Sequence, residues 1–471
     1  MNKTKVIATV GPVTSNKEML KELITNGTDV IRINMSHADM AFCREIVEKI
    51  NEINMELNTY TAIMIDLKGP IVQVGKVLNR SAFLKQNDKI RIFKEDVLGD
   101  NTKFSVDYKE FIKEANVGMI LTLSDGDVVL KVIQKENDYL ICEVLKGGYI
   151  HEHKTLTTPN FKIKRPFIDS FDLQTIKLAS MLNVDYLALS YVRSSEDVLK
   201  VNDLLINLGN DHLSIIAKIE NEQAVLDIDN IIKVSDGIMV ARGDLGCELP
   251  VEKIPGIQKK LIDKCHKAGI ISIVATEMLS TMEKSSHPTK AEVSDIANAV
   301  LDGCDAVMLS GETTIGRYPI ETLKMMERVI KAAEMDANYT SLMESAIKTE
   351  KKDITGVLAY NVSGCANLLK CKAIIAPTIT GHTAKKISRF RPYCPIVAIS
   401  PNVDTIKSLA LNFGVYSCLS DELESIDMVI EKSKIIAKEK LNLQKGDMVI
   451  VTGGYPFKEV KHTNFMKIEE I

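Results

Sequence analysis

The feature that most constrains the fold is a pattern that occurs eight times along the chain. In each case a short, β-rich apolar run ends in polar or charged residues and is followed by a helical pattern. Such units predict a parallel sheet covered by helices, and eight of them fit a closed (β/α)8 TIM barrel better than an open doubly wound sheet. We expect the polar strand ends to meet at one mouth, where this architecture places its chemistry. The runs are KVIATVGP (5–12), DVIRINMSH (29–37), TAIMIDLKGP (61–70), DYLALSYVR (185–193), SIIAKIEN (214–221), DGIMVARGDLG (236–246), ISIVATEM (271–278) and DAVMLSGET (305–313).

Two further segments lie outside the barrel pattern. The first, residues 70–165, contains short runs of alternating apolar and polar residues separated by turn signals, which predict an inserted all-β domain. We expect this domain to lie above the mouth of the barrel and to act as a lid that excludes water. The second reads as a separate α/β unit with strands near AIIAPT (373–378) and PIVAIS (395–400). The predicted domains are 1–69 with 166–346 for the barrel, 70–165 for the lid and 350–471 for the C-terminal domain.

Composition excludes several classes of protein. The net charge is -4 and 26% of the residues are charged, which argues against a nucleic-acid partner or a basic membrane face. No apolar stretch approaches the roughly 20 residues of a membrane span, and the N-terminal sequence lacks the features of a signal peptide. The nine cysteines are scattered without CxxC spacing, which predicts free thiols. We expect a cytoplasmic protein.

Acidic and basic side chains at neighbouring strand ends indicate a metal-assisted reaction. Glu220 and Asp244 follow strands 5 and 6, so they are placed to share one Mg²⁺, with substrate oxygens and water completing an octahedron. Lys218 precedes Glu220 by two residues and points into the barrel. An ammonium beside a metal stabilises a developing enolate or a phosphoryl group in transfer. The alternative is a lysine that extends from the strand end into solvent.

Strand 2 adds a second polar set. Arg32, Asn34 and Ser36 alternate with apolar residues and face the mouth together, and Asp66 ends the neighbouring strand. The side-chain oxygens of Asn34, Ser36 and Asp66 suit a cation, whereas the guanidinium of Arg32 suits a phosphate.

The remaining polar candidates are less specific. Thr276 and Ser310 offer hydroxyls, although each alone is more often a structural cap. His151 and His153 form an HxH pair in the predicted lid without a further ligand nearby in sequence, so we expect a solvated surface there.

Taken together, these motifs resemble those of the pyruvate kinase family, in order and over essentially the whole chain. The residues that carry the resemblance are VIATVGP, RINMSH, DLKGP, KIEN, DGIMVARGDLG, VATEML, SDIANAVLDGCDAVMLSGET and RYP. The resemblance implies a barrel, a β-rich lid after strand 3 and a C-terminal effector domain, assembled as a homotetramer. It also implies transfer of the phosphoryl group of phosphoenolpyruvate to ADP, followed by protonation of the enolate, in glycolysis.

The resemblance assigns roles to individual residues. Glu220 and Asp244 are similar to the family's Mg²⁺ or Mn²⁺ ligands, and Lys218 to the group that stabilises the enolate. Thr276, with the backbone of Gly243 and Asp244, would hold the substrate carboxylate. The family's potassium ligands fall on Asn34, Ser36, Asp66 and the carbonyl of Leu67.

Nucleotide binding and proton transfer follow from the same resemblance. Arg32 is similar to the phosphate-binding arginine, and Asn34 and His37 fall near the nucleotide pocket. The proton relay would run through Thr276, Ser310 and water.

The chain departs from the family pattern at the lid. The family's DTKGPEIRTG appears as DLKGPIVQVG, so Leu67 replaces a threonine, Ile71 a glutamate that accompanies potassium dependence, and Gln73 an arginine that touches phosphates. Ungapped alignment of LPGITEKD with RPFIDSFD puts Phe171 where a nucleotide-phosphate lysine is expected, and Glu277 stands where glutamine is usual.

The two missing cations lower the expected rate. Each hydrogen bond to a charged group contributes about 1.5–3 kcal/mol. The loss of both cations therefore lowers the reaction rate by roughly two to four decades unless other residues compensate. Lys68, Lys164 and Arg165 flank the lid hinges and are placed to reach the same phosphates.

Three functions remain open from the sequence. An active phosphotransferase is favoured over a catalytically weak paralogue that binds a ligand or partner, because Glu220, Asp244 and Lys218 are intact. A barrel lyase that passes through a metal-bound enolate would need neither the lid nor the third domain.

A strand-to-helix turn in the C-terminal domain, TITGHTAKKISRFRP (378–392), is placed to bind the phosphate of a phosphorylated effector. The alternative is an ordinary capped helix, because the family's second, glycine-rich element appears here as FKEVKHTN (457–464) without its glycines. We expect a weakened or different effector site. Its candidate residues are Thr378, Thr380, Gly381, His382 and Thr383.

Overall fold

A computed structural model describes residues 2–123, 126–158, 164–210, 212–349, 353–421, 426–454 and 462–471. The strands are β1 (Lys5–Thr9), β2 (Val30–Asn34), β3 (Ala62–Asp66), β4 (Val72–Gln73), β5 (Ser81–Leu84), β6 (Lys89–Phe93), β7 (Lys103–Ser105), β8 (Ile120–Leu123), β9 (Val128–Lys135), β10 (Tyr139–Lys146), β11 (Gly148–His151), β12 (Thr155–Thr157), β13 (Tyr186–Leu189), β14 (Ser214–Ile219), β15 (Gly237–Ala241), β16 (Ile271–Ala275), β17 (Ala306–Leu309), β18 (Ala373–Pro377), β19 (Ile396–Ser400), β20 (Val415–Leu419), β21 (Met448–Gly453) and β22 (Phe465–Glu470).

The helices begin and end as follows: α1 (Lys17–Thr25), α2 (Met40–Leu57), α3 (Phe111–Glu114), α4 (Ser170–Met181), α5 (Ser195–Asn207), α6 (Glu222–Leu226), α7 (Ile228–Val234), α8 (Arg242–Glu248), α9 (Ile254–Ala268), α10 (Lys290–Leu301), α11 (Gly311–Thr314), α12 (Pro319–Asp336), α13 (Tyr339–Ile347), α14 (Ile354–Leu368), α15 (His382–Arg389), α16 (Val403–Ser408) and α17 (Ile426–Leu441). Among the described residues, no helix is both long and apolar enough to cross a membrane. All nine cysteines are free thiols, as predicted.

The predicted closed barrel is confirmed. Its strands run in the order β1–β17–β16–β15–β14–β13–β3–β2 and pair in parallel all the way round. Alternate residues point to opposite sides of each strand: Met64 and Ile216 fill the barrel interior, whereas Ile63 and Ile215 pack beneath the surrounding helices. The strands are mostly apolar because both of their faces are buried, and charged residues such as Arg32 on β2 and Lys218 on β14 lie toward their carboxyl ends.

The insertion after β3 forms a separate β domain with its own core, as predicted. Seven strands form a sheet in the order β4–β12–β8–β9–β10–β6–β7, and β5 pairs with β11. Its apolar core contains Phe104, Phe111 and Leu121. The described part of this domain also contains a short 3-10 turn at Leu78–Arg80 and α3, a single helical turn whose Phe111 and Ile112 are buried.

The C-terminal unit is an α/β domain built on the sheet β20–β19–β18–β21–β22, in which only β22 runs antiparallel. A buried charge pair joins it to the barrel. Arg391 lies just after α15, is 2% exposed, and places its guanidinium 2.8 Å from Asp305 Oδ1 and 2.9 Å from the Gly303 carbonyl oxygen. His266 in α9 lies beside this pair and hydrogen-bonds the carbonyl of Arg389.

Acid is expected to weaken this joint through His266. Burial, and then the charge of Arg391, lowers the pKa of His266 to about 4. The unfolded chain, with an ordinary histidine pKa of about 6.5, binds the proton more tightly, so stability begins to fall below about pH 6.5 and the loss is complete below about pH 4.

Urea unfolding at about pH 7 and about pH 5 checks this expectation. Between these two pH values the free energy of unfolding should fall by about 2 kcal/mol more in the wild type than in His266→Gln. The glutamine amide of this variant still donates to the Arg389 carbonyl. The same pH dependence in both proteins would contradict it.

Candidate active site

Four of the predicted residues form one buried network at the mouth. Lys218 Nζ lies 2.9 Å from Glu220 Oε1 and 3.2 Å from Asp66 Oδ1. Arg32 Nε donates to the other oxygen of Asp66 at 2.7 Å. Each residue continues the inward-facing positions of its own strand, as Lys218 follows Ile216 on β14. The alternative of a solvated Lys218 is wrong, because only 8% of this residue is exposed.

The buried charges compensate one another. Burial disfavours the charged form of Asp66, but Lys218 and then Arg32 outweigh it and hold the pKa of this carboxyl below its usual value. Burial likewise disfavours the ammonium of Lys218, yet Asp66 and Glu220 raise its pKa above the usual value. Lys218 is therefore a permanent cation in this site at neutral pH.

Ser190 belongs to the network and is not among the residues predicted from the sequence. Its hydroxyl accepts a hydrogen bond from Lys218 Nζ at 2.7 Å and lies 2.7 Å from the Leu67 carbonyl oxygen. Asp66 Oδ1 is 3.1 Å away. The available sequence signal is its place directly after β13, at a predicted strand end.

The two candidate metal ligands come from different elements. Glu220 directly follows β14, whereas Asp244 lies in the first turn of α8, because β15 already ends at Ala241. Tyr191 connects them: its backbone N–H donates to Glu220 Oε2 and its phenol to Asp244 Oδ1 at 3.2 Å. Burial raises the pKa of Glu220, and the charge of Asp244 adds to this, although Lys218 opposes it.

This donor set fits Mg²⁺ better than a metal that needs an all-protein cage. In the described part of the chain, no group of three or more His, Cys, Asp and Glu side chains is placed to hold a metal. Mg²⁺ takes one or two carboxylates and completes its octahedron with substrate oxygens and water. Glu220 and Asp244 meet that requirement.

The loop after β16 is strained. Thr276 and Glu277 have φ of 68° and 55°, the left-handed region that side-chain-bearing residues rarely adopt. Thr276 Oγ1 donates to the Ala275 carbonyl at 2.6 Å and accepts from the Gly243 N–H at 2.9 Å. Strain of this kind costs about 1–3 kcal/mol per residue and persists where the surrounding structure holds a functional geometry.

Ser310 contributes a hydroxyl without a partner. Its Oγ is buried and makes no hydrogen bond to any described residue, while its backbone N–H donates to Glu312 Oε2 at 2.8 Å. A buried hydroxyl left in this condition is costly unless water or a ligand satisfies it.

Comparison with known proteins agrees with this geometry. The family model of the pyruvate kinase barrel domain matches residues 1–323, and that of the pyruvate kinase alpha/beta domain matches residues 357–469. A pyruvate kinase of Clostridium perfringens is 40% identical over 474 residues, covering 100% of both chains. The chain belongs to the pyruvate kinase family. Pyruvate kinases of Sporosarcina psychrophila and Clostridium acetobutylicum are each 37% identical, and the alignment covers 100% of this chain and 81% and 100% of theirs.

Membership of the pyruvate kinase family makes the protein a phosphotransferase. In the structure, the two neutral residues that replace family cations at the lid pack against their own surroundings. Gln73, at the arginine position, is buried and donates to the His153 carbonyl at 2.9 Å. Phe171, at the expected lysine position, packs against the barrel core. Neither side chain is a cation, so any charge beside a nucleotide phosphate has to come from elsewhere.

Lys154 supplies a cation that is not among the predicted residues. Strand β12 pairs with β4 so that Thr155 lies opposite Gln73, and the Lys154 carbonyl accepts from the Val74 N–H at 2.9 Å. Partial desolvation lowers the pKa of His37, and the positive charge of Lys154 lowers it further. The Lys154 backbone therefore lies beside the β4 segment that carries Gln73, and its charge acts on His37, a residue predicted to lie near the nucleotide pocket. Only strand register reveals this placement.

The hinge cations have a different role from the one expected. Arg165 donates to the Ile71 carbonyl at 2.6 Å and pairs with Asp107 and Asp169 at 3.3 and 3.2 Å, so it joins the two hinge segments instead of reaching a phosphate. Lys68 Nζ lies 3.4 Å from Asp107.

The predicted potassium ligands Asn34 and Asp66 lie opposite each other on β2 and β3, and the oxygens of Asn34, Asp66 and Leu67 already have partners. Asn34 Oδ1 accepts from the Ser36 N–H at 3.1 Å, and the Leu67 carbonyl accepts from Ser190. Asp66 pairs with two cations, as described above. Ile71 is buried and adds no charge.

The predicted effector residues surround the N-terminus of α15, whose N-cap Gly381 has φ of 79°. Thr378 Oγ1 accepts from the Gly381 N–H at 3.0 Å, and Thr383 Oγ1 lies 2.8 Å from Thr463 Oγ1. Thr380 and His382 are exposed. Positions 457–461 of the second element lie outside the described residues.

The Ser190 contacts predict a cost for its removal. Ser190→Ala deprives Lys218 Nζ and the Leu67 carbonyl of a buried partner, so we expect the free energy of unfolding in urea to fall by about 1–3 kcal/mol. Ser194→Ala is the matched control, because the Ser194 side chain makes no capping hydrogen bond. Equal stability of the two variants would show that the Ser190 contacts add nothing.

Proposed function

We propose that the protein transfers the phosphoryl group of phosphoenolpyruvate to ADP and releases pyruvate and ATP, as the glycolytic pyruvate kinase reaction in the cytoplasm. The observation that carries this proposal is the position of Lys218, a buried cation 2.9 Å from Glu220, on the same side of the mouth as Asp244. A fixed ammonium beside two carboxylates suits a reaction in which an anion develops next to a divalent cation.

Phosphoryl transfer needs positive charge at defined places. Glu220 and Asp244 would hold Mg²⁺ or Mn²⁺, which supplies Lewis-acid charge to the phosphate and enolate oxygens. Lys218 stabilises the enolate and the phosphoryl group as the P–O bond breaks, and Arg32 binds the phosphate. The fixed contact of Arg32 with Asp66 orients its guanidinium before substrate arrives.

The substrate carboxylate and the proton are handled by the start of α8 and by the loops after β16 and β17. Thr276 and the backbone of Gly243 and Asp244, at the start of α8, hold the carboxylate, an arrangement that the local helix N-terminus favours. After transfer, the enolate carbon takes a proton through Thr276, Ser310 and water. The unpartnered hydroxyl of Ser310 supports its place in this relay.

The nucleotide lies between the mouth and the lid. Arg32, Asn34 and His37 form its barrel side, and Lys154 of the lid provides the cation for its phosphates. This arrangement compensates for Gln73 and Phe171, so the catalytically weak paralogue is not favoured.

The remaining expectations stay proposals on the strength of the resemblance. Asn34, Ser36, Asp66 and Leu67 would supply oxygens to K⁺, with a weaker requirement than in relatives that carry a glutamate at the Ile71 position. A homotetramer and a phosphorylated effector at α15 are proposed on the same basis. So are the domain bounds 1–69 with 166–346, 70–165 and 350–471.

Replacing Lys218 by methionine tests the reaction. Lys218→Met keeps the length of the side chain and removes the charge, so we expect the rate of pyruvate release from phosphoenolpyruvate and ADP to fall by about three decades or more. Phosphoenolpyruvate binding, measured by calorimetry, should persist. Turnover by the variant close to that of the wild type would overturn the proposed mechanism, and a wild type that binds without turnover would favour the regulatory paralogue.

Replacing Lys154 tests the nucleotide assignment. Lys154→Met removes one charged contact to the phosphates, so kcat/KM for ADP should fall about 10- to 100-fold while KM for phosphoenolpyruvate stays the same. His151→Ala is the control, because His151 lies on β11 and stacks on Tyr149. An unchanged kcat/KM for ADP in Lys154→Met would place the nucleotide elsewhere.

A further inference from the structure

Tyr191 has an unusual backbone conformation at an informative place. It directly follows Ser190 and has φ of 54°. An aromatic residue in the left-handed region is a genuine outlier, and such outliers cluster where the surrounding structure holds a functional geometry. The conformation turns the backbone N–H of Tyr191 toward Glu220 Oε2, while the phenol reaches Asp244.

One residue therefore contacts both candidate metal ligands through two independent groups. Glu220 and Asp244 belong to different elements, and Tyr191 belongs to a third, the turn after β13. The two carboxylates repel each other before a cation arrives, since the charge of Asp244 contributes to the raised pKa of Glu220. Tyr191 donates one hydrogen bond to each carboxylate, which opposes that repulsion. The two hydrogen bonds also orient Glu220 Oε2 and Asp244 Oδ1.

Tyr191 lies where the barrel meets the lid. It lines a small cavity together with Ile71 and Leu156 of the lid and Glu248 of α8. Its hydroxyl donates to Asp244 Oδ1 at 3.2 Å. Hydrogen-bond donors that orient ligating side chains typically change metal affinity 10- to 100-fold when removed.

We propose that Tyr191 is a positioning residue for the divalent cation: its backbone N–H and phenol hold Glu220 and Asp244 in the arrangement that the cation requires. This inference rests on the proposed function for the metal site itself and adds the residue that prepares it. The role assigned to Tyr191 acts through Glu220 and Asp244 and involves no contact with the reacting atoms.

Tyr191→Phe tests the inference, because it removes the hydroxyl and keeps the ring. The readout is binding of Mn²⁺ alone to the full-length protein, followed by the electron paramagnetic resonance signal of the free ion. We expect the Kd for Mn²⁺ to rise about 10-fold. In turnover, the Mg²⁺ concentration for half-maximal rate should rise similarly, with KM for phosphoenolpyruvate at saturating Mg²⁺ unchanged.

Tyr108→Phe is the matched control. Tyr108 also donates its phenol to a carboxylate, that of Glu114 at 2.7 Å, but lies in the lid away from Asp244. Its removal should leave the Kd for Mn²⁺ unchanged. Equal affinities in Tyr191→Phe and wild type would overturn this inference alone, whereas absence of Mn²⁺ binding to the wild type would overturn the proposed metal site and this inference with it.

Discussion

The buried ion pairs of Lys218 with Asp66 and Glu220 are the constraint on which the mouth of the barrel depends. Charges taken out of water are tolerated only when they are paired and hydrogen-bonded. Here Lys218 meets two carboxylates and the Ser190 hydroxyl, and Arg32 takes the remaining oxygen of Asp66. The network spans strands β2, β3 and β14 and the turn after β13, so the strands and the charges hold one another in place. A site built this way is arranged before substrate binds, which is what electrostatic stabilisation of a transition state requires.

The lid carries neutral residues at two positions where the family resemblance implies cations. Gln73 and Phe171 have no charge, and Lys154, directly before β12, is the cation that we propose for the nucleotide phosphates. Arg165 joins one hinge segment to the other. Asp172 also accepts the backbone N–H groups of Lys68 and Gly69 at 3.0 Å each. The lid therefore departs from the family pattern in residue identity, while hydrogen bonds of Arg165 and Asp172 join its hinge segments.

The joint to the C-terminal domain uses the same principle as the mouth. Arg391 and Asp305 are buried as a pair, and Asp305 immediately precedes β17, the strand that ends beside Ser310. The opposite end of α15 from Arg391 carries the candidate effector loop. One short helix and one strand thus lie between that loop and Ser310, a member of the proposed proton relay.

Strand alternation made part of the site predictable and tertiary packing decided the rest. The eight apolar runs, and the period of two that carries Ile216, Lys218 and Glu220 to one face, determine the barrel and its charged mouth because both are local properties of the chain. Ser190, Tyr191 and Lys154 could not be found this way. Tyr191 meets Asp244 across 53 residues and Ser190 meets Lys218 across 28, so their roles exist only once strand order, register and the turn after β13 are set. The sequence by itself determined the fold and the charges that face the mouth of the barrel. Only the tertiary structure decided that Ser190 and Tyr191 hydrogen-bond those charged groups. Hydrogen-bond geometry depends on distances between elements, and no local pattern encodes those distances.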